Sequence, residues 1–241
     1  MLGGRIMINI SICGHGVMGK VVEQEVITYN NMSLSGFLSP RNGQLGEEIN
    51  DVDVIIDFSH PTNLDFLIEY AIKKNSALLI CTTGYNEEQK NKIFEAGKEI
   101  PVLLSSNTST GINIVRKMLK LISDELCSFD IDIIERHHSK KIDSPSGTAK
   151  TLAEDIKDVT GRDKVEVHSL RAGTIPGEHQ IIFSGIDEII EIKHTAFSKK
   201  IFARGALDIA LKLANKKPGF YTTEDMFEIE GKKLSKIINI A

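Results

Sequence analysis

Apolar positions recur along this chain with two different periods. Five short runs, Ile8 to Cys13, Leu34 to Leu38, Val52 to Ser59, Ala77 to Cys81 and Pro101 to Leu104, are continuously apolar or alternate, as strands do. Between them, residues 20–28, 62–74 and 87–98 carry the wider spacing of helices with one apolar face. Val54, Ile55 and Ile56 follow one another without alternation, which suits a strand buried on both faces. Strands and helices in turn, each strand running into a small polar loop, predict an α/β fold of Rossmann type, a doubly wound parallel sheet. Sheets of this kind bind ligands at the carboxyl edge of their strands.

The pattern changes after residue 110. Ile112, Val115, Met118, Leu119, Ile122 and Leu126 share one face of a long helix, expected to lead into a second domain. That domain should hold a strand over Ile131 to Glu135 and a helix over Thr148 to Thr160. Val165 to Arg171, Gln180 to Ser184 and Glu188 to Thr195 alternate like an antiparallel sheet. A helix over Ile201 to Asn215 ends at Lys216-Lys217-Pro218-Gly219. The tail contains a short helix near Glu224 to Phe227 and is expected to return to the first domain. The expected division is therefore 1–110 with 217–241 for dinucleotide binding, and 111–216 for substrate.

Composition narrows the function classes. The chain has 241 residues, 41% of them hydrophobic, and a net charge of -4. No basic surplus favours nucleic acid, and no apolar run approaches the roughly 20 residues of a membrane helix. Met1 to Met7 is too short for a secretory leader, and the apolar segment after it is broken by Asn9, Ser11 and Gly14. Met7 is itself a candidate start. Cys13, Cys81 and Cys127 show no paired spacing, which fits a reducing cytoplasm and neither a disulfide framework nor a metal site.

Two stretches carry candidate chemistry. Gly14-His15-Gly16-Val17-Met18-Gly19 follows the first strand and opens a helix, as a tight turn that admits a pyrophosphate must. The second strand ends in Ser39-Pro40-Arg41 with no acid to bond a ribose; Arg41 could pair with a 2′-phosphate, which leans toward NADP, or be a surface turn residue. Thr82, Thr83 and Asn107 stand in loops at the carboxyl edge, placed to touch a nicotinamide or its ribose, although each is also an ordinary turn former.

The densest polar stretch runs from Glu135 to Ala149. A strand ends there, a helix begins, and His137, His138 and Lys141 fall between. His137 and His138 are neighbours in a strand and point to opposite faces, so they are poor joint ligands of one metal. Ser146, Gly147 and Thr148 can offer helix N-terminal donors to an anion, or serve only as a turn and cap. Together the stretch suits a small carboxylate substrate that needs a proton.

Glu135-Arg136-His137-His138 with Lys141-Ile142-Asp143-Ser144-Pro145-Ser146-Gly147-Thr148-Ala149 resembles the signature of the 4-hydroxy-tetrahydrodipicolinate reductase (dihydrodipicolinate reductase) family. Asp57-Phe58-Ser59, Thr82-Thr83-Gly84, Arg171-Ala172-Gly173 and Gly177-Glu178-His179 match in order, so the resemblance covers nearly the whole chain. It implies an NADH- or NADPH-dependent oxidoreductase with a Rossmann-like domain and a mixed α+β domain for substrate and oligomerisation. It further implies a homotetramer, with His137 as acid/base and Lys141 as proton donor, and His138, Ser146, Gly147 and Thr148 on the substrate. The implied cofactor set is Cys13, Gly14, His15, Gly16, Val17, Met18, Ser39, Arg41, Phe58, Cys81, Thr82, Thr83, Ser105, Ser106, Asn107 and Thr108. Cys13 and Val17 replace a Gly and an Arg common in the family's glycine loop, and Ser39 replaces an acid, which leaves the choice of NADH or NADPH open. The rival readings are a non-catalytic NAD(P)-binding sensor and another small-acid reductase.

Overall fold

The structure is a computed structural model that describes residues 7–39, 49 and 51–227. The chain divides into two compact units. One gathers the described residues up to Thr108 with those from Phe202 on; the other spans Ser109–Ile201.

The first unit is built on six strands that pair in parallel, in the order β10-β5-β4-β3-β1-β2. They are β1 (Ile8–Cys13), β2 (Met32–Leu38), β3 (Val54–Asp57), β4 (Ala77–Ile80), β5 (Pro101–Leu104) and β10 (Gly219–Tyr221). Helices α1 (Val17–Val26), α2 (Leu64–Lys74) and α3 (Glu87–Ala96) follow β1, β3 and β4. Every residue of β3 and β4 is buried, as the unbroken apolar runs require. α3 starts on a capping box, in which Asn86 and Gln89 satisfy each other's backbone N–H groups. Helix α1 begins at Val17, three residues before the expected start, because Gly16 is its N-cap.

The strand β10 was not expected. Pro218-Gly219 reads as a break, yet the backbone after it adds an edge strand to β5. The short helix α7 (Thr223–Met226) follows. Residues 202–216, grouped by sequence with the second domain, belong to the first unit. They form most of α6 (Lys200–Leu213), which is tied to the region of α1. Arg204 Nε meets Glu25 Oε2 at 2.6 Å, and the Tyr29 hydroxyl donates to Asp208 at 2.8 Å.

The second unit pairs four strands, β6 (Asp130–His137), β7 (Glu166–Arg171), β8 (Glu178–Ser184) and β9 (Ile189–Thr195), in the order β7-β6-β8-β9. The antiparallel expectation holds for β6–β8 and β8–β9, but β7 runs parallel to β6, so the sheet is mixed. The helix α5 (Gly147–Thr160) is the reason: it carries the chain back across the sheet between β6 and β7. Inward residues Ile131, Ile133, Ile181 and Phe183 pack on Leu119 of α4 (Thr110–Ile122) and on Leu152 and Ile156 of α5. Among the described residues, no helix is long and apolar enough to cross a membrane.

Candidate active site

In the first unit, the loops after β1, β3 and β4 surround a cleft of about 700 Å³ that includes Val17, Met18, Phe58, Cys81, Thr82 and Thr83. Two glycines shape its entrance. Gly14 sits at φ +92°, and a Cβ there would lie 2.5 Å from the Phe58 carbonyl oxygen. Gly19 lies against Gly14, where a Cβ would fall 1.9 Å from that residue's oxygen. The loop is therefore folded tightly onto β3, and α1 starts with no side-chain cap and no acidic residue in its first turn. A Cβ on Gly16 would meet no protein atom within 4 Å. An uncapped helix start beside such open space fits the pyrophosphate of a dinucleotide.

Under the cleft lies a buried polar cluster. Asp57, fully buried, accepts from Ser59 and, at 3.3 Å, from the Tyr85 hydroxyl. Burial raises its pKa above the ordinary carboxylate value, and hydrogen bonds from Ser59, Thr82 and Tyr85 oppose the rise. Burial and the nearby Asp57 charge also push the Cys13 thiol up to about 12. The same two causes raise Cys81 well above its ordinary value. Neither thiol is a nucleophile at neutral pH.

The second unit holds a cluster of histidines on the inward face of its sheet. Alternation in β6 turns Glu135 and His137 inward, and both are buried. His137 Nδ1 pairs with Glu135 Oε2, and Arg171 binds the same carboxylate with both Nη atoms, at 2.6 and 2.9 Å. Burial opposes the charge on Glu135, but hydrogen bonds from Arg171, Ser169, His137 and Ser146 hold its carboxyl down at about 2. Burial lowers the pKa of His137, and Glu135 pulls it the other way. His179 from β8 stands edge-on to His137 with ring centroids 5.3 Å apart, and burial followed by the neighbouring His137 lowers it to about 4.

The start of α5 adjoins this cluster. Ser146 is its N-cap, its hydroxyl accepting from Ala149 N–H at 3.2 Å and lying 3.1 Å from His179 Nε2. Lys141 Nζ sits on Asp143 Oδ1 at 2.7 Å. That contact, aided by the Gly147 N–H, lowers the Asp143 carboxyl below its ordinary value. A carboxylate of the chain thus already lies on both Lys141 and the first N–H of α5, which is the environment a substrate carboxylate would need.

A family model described as the N-terminus of dihydrodipicolinate reductase matches residues 8–108, and one for its C-terminus matches residues 111–227. The chain belongs to the dihydrodipicolinate reductase family. A 4-hydroxy-tetrahydrodipicolinate reductase of Brachyspira hyodysenteriae is 43% identical over 233 residues, covering 90% of this chain and 98% of the relative. Another, of Clostridium novyi, is 40% identical over 239 residues and covers 88% and 95%. The fold is like that of a dipicolinate-bound dihydrodipicolinate reductase from Paenisporosarcina sp. TG-14, at TM-score 0.77 and 22% identity, covering 90% of this chain and 98% of that one. As a member of the family the chain is an oxidoreductase dependent on NADH or NADPH.

Placed on this dihydrodipicolinate reductase fold, the residues singled out by sequence separate into groups. Gly14, Gly16, Val17, Met18, Phe58, Cys81, Thr82 and Thr83 gather at the cleft or its entrance. Cys13 lies beneath it without exposed surface, so its thiol cannot face a ligand. His15 turns toward β2, against Phe37 at 4.3 Å and Glu23 at 3.2 Å. Ser39 follows β2 and is outside the lining, and Arg41 lies outside the described residues. Ser105 and Asn107 close a local turn, while the Thr108 hydroxyl donates to the Phe202 carbonyl at 2.7 Å; with Ser106 they lie outside the cleft lining. His137, Lys141, Ser146, Gly147 and Thr148 fall around one end of β6 and the start of α5, and His138 follows His137 directly. Sequence reasoning assigned no role to Glu135, Arg171 or His179. The period of two in β6, which turns Glu135 to the same face as His137, was the readable signal for the first.

Proposed function

We propose that this chain reduces 4-hydroxy-tetrahydrodipicolinate to tetrahydrodipicolinate within lysine and diaminopimelate biosynthesis, with His137 as acid/base and Lys141 as proton donor. The family membership supports the reaction. The observation that carries the residue roles is the buried pairing of His137 Nδ1 with Glu135 beside the start of α5. Loss of water from the hydroxylated ring leaves an unsaturated cyclic imine, which takes up a hydride and a proton. A bound reduced nicotinamide supplies the hydride. The pyrophosphate of that cofactor would rest on Gly14 to Met18, and its nicotinamide end near Thr82 and Thr83.

The chain's own part is to hold the dicarboxylate and to move the proton. Ser146, Gly147 and Thr148 at the start of α5, with His138, bind the carboxylates through charge-assisted hydrogen bonds, and Lys141 serves as proton donor. His137 exchanges the proton through Nε2 as electron density builds along the ring, an effect worth roughly 10²–10⁴-fold in comparable sites.

The test is oxidation of NADPH and of NADH followed by absorbance, with substrate generated in place by the preceding synthase from pyruvate and aspartate semialdehyde. Turnover that needs both enzymes supports the reaction, and the ratio of the two rates gives the cofactor preference. His137→Gln and Lys141→Ala should each lower kcat by about 10²-fold or more while cofactor still binds. Turnover near that of the parent in both would refute the roles.

The assembly is read as a homotetramer built through the second unit's sheet. The face of that sheet turned away from α4 and α5 exposes Leu170 and Ile189, apolar residues that a second copy would cover. Light scattering that returned a monomer mass would reject it. The free Cys13, Cys81 and Cys127 thiols support a cytoplasmic location, checked by cell fractionation.

A further inference from the structure

We infer that Glu135 is a positioning residue that fixes the reacting tautomer of His137 and holds the start of α5 in place beside it. The inference rests on the reading of His137 as the acid/base group.

Glu135 is fully buried, and besides Ser169 four donor atoms reach its carboxylate. His137 Nδ1 and Arg171 Nη1 meet Oε2; Arg171 Nη2, at 2.6 Å, and Ser146 N–H, at 3.2 Å, meet Oε1. An ionised carboxylate can only accept. The proton between Glu135 and His137 therefore belongs to Nδ1, and Nε2 is left as the nitrogen that exchanges protons. Gly177 keeps the space on the Nε2 side narrow but open, since a Cβ there would come within 3.3 Å of that nitrogen.

The same carboxylate reaches the substrate-binding loop by two routes. Ser146, the cap of α5, donates its N–H to Glu135 directly. Arg171 Nη2 also donates to the Asp143 backbone oxygen at 2.6 Å, and Asp143 carries Lys141 on its side chain. A second clamp comes from β8. The Ser146 hydroxyl, which accepts from Ala149 N–H, also lies within hydrogen-bond distance of His179 Nε2, at 3.1 Å. Glu135 thus links the imidazole, the start of α5 and the lysine loop.

The charged and titratable groups facing this pair come from every neighbouring element. They are Arg171 on β7, Lys141 in the loop after β6, and His179 on β8, which has His194 of β9 on its other side. Lys141 and Arg171 act against a proton on His137. Glu135 is the group that favours it.

The experiment combines kcat–pH profiles with ¹⁵N NMR of the histidine rings. In the parent enzyme, neutral His137 should show the Nδ1–H tautomer. Glu135→Gln keeps the size and an acceptor but removes the charge. It should move the alkaline inflection of kcat toward acid by about 1–3 pH units, so that kcat above the old inflection falls by about tenfold or more. KM for substrate should change little. Glu135→Asp should restore part of the inflection. A purely structural role would lower kcat evenly at every pH. An Nε2–H tautomer, or a Glu135→Gln profile that overlays the parent's, overturns the inference. If Glu135→Gln does not fold, the tautomer and the Glu135→Asp profile decide. His137→Gln separates the two claims. Retained turnover there defeats the acid/base reading itself, whereas an inactive His137→Gln with an unmoved Glu135→Gln profile defeats only the role of Glu135.

Discussion

Asp57 Oδ1 accepts from Ser59 twice, from its N–H at 3.0 Å and from its hydroxyl at 2.5 Å. The Ser59 N–H is shared with Thr82 Oγ1 at 2.8 Å, so the loops after β3 and β4 are joined under the cleft. What this junction needs is an acceptor, because burial already works against the carboxylate charge. Asp57→Asn retains an oxygen for Ser59 and removes the buried charge. It should keep stability close to the parent's and weaken cofactor binding only slightly. Asp57→Ala leaves the Ser59 N–H and the Tyr85 hydroxyl without that partner, which should cost about 1–3 kcal/mol. Urea unfolding and fluorescence titration with NADPH compare them. An Asn variant as damaged as the Ala variant would show that the charge itself is required.

The glycine loop gives a second contrast. Gly14→Ala forces a Cβ against the Phe58 carbonyl at a positive φ, so the protein itself must yield. Gly16→Ala meets no protein atom within 4 Å. The first substitution should lower the melting temperature and abolish cofactor binding. The second should leave melting of the ligand-free protein near the parent's and still weaken NADPH and NADH binding, because the added methyl occupies space beside the uncapped start of α1. Unimpaired binding by Gly16→Ala would place the pyrophosphate elsewhere.

Much of this was readable from residues. Val54, Ile55 and Ile56 carried the buried centre of the parallel sheet, and Gly14, Gly16 and Gly19 the tight turn between β1 and α1. The parts that were not readable depend on contacts between distant segments. A period-two pattern in β7 gives the same signal whether it pairs parallel or antiparallel with β6, so the βαβ crossing through α5 was missed. The strand β10 has three residues, and its pairing with β5 outweighs the turn signal of Pro218-Gly219. The unit to which α6 belongs is decided by Arg204 and Asp208 meeting Glu25 and Tyr29, about 180 positions away. At the candidate site, His137 and Lys141 stood out as residue types, while Arg171 lies 36 positions from the Glu135 it binds.

Stability should fall on mild acidification because of the buried histidines. Burial lowers His137, His179 and His194, and His179 most explicitly, from an ordinary 6.5 to about 4. A folded-state pKa below the unfolded one means that the unfolded chain takes up the proton first as pH drops. The stability is fully present above 6.5 and is lost as pH falls from there toward about 4; for His179 alone the shift corresponds to about 3 kcal/mol. Glu135 adds a later loss of the same sign, from its ordinary 4.5 toward about 2. Urea midpoints measured from about pH 8 to about pH 5 should therefore decline, with the buried Asp57 carboxyl, whose pKa is raised, opposing that decline as it takes up its proton. His179→Gln keeps a hydrogen-bonding group for the Ser146 hydroxyl and cannot bind a proton, so its decline should be shallower. A parent midpoint that stays level across this range would mean that the histidines are protonated alike in the folded and unfolded chain, and that the inward face of the sheet is open to water.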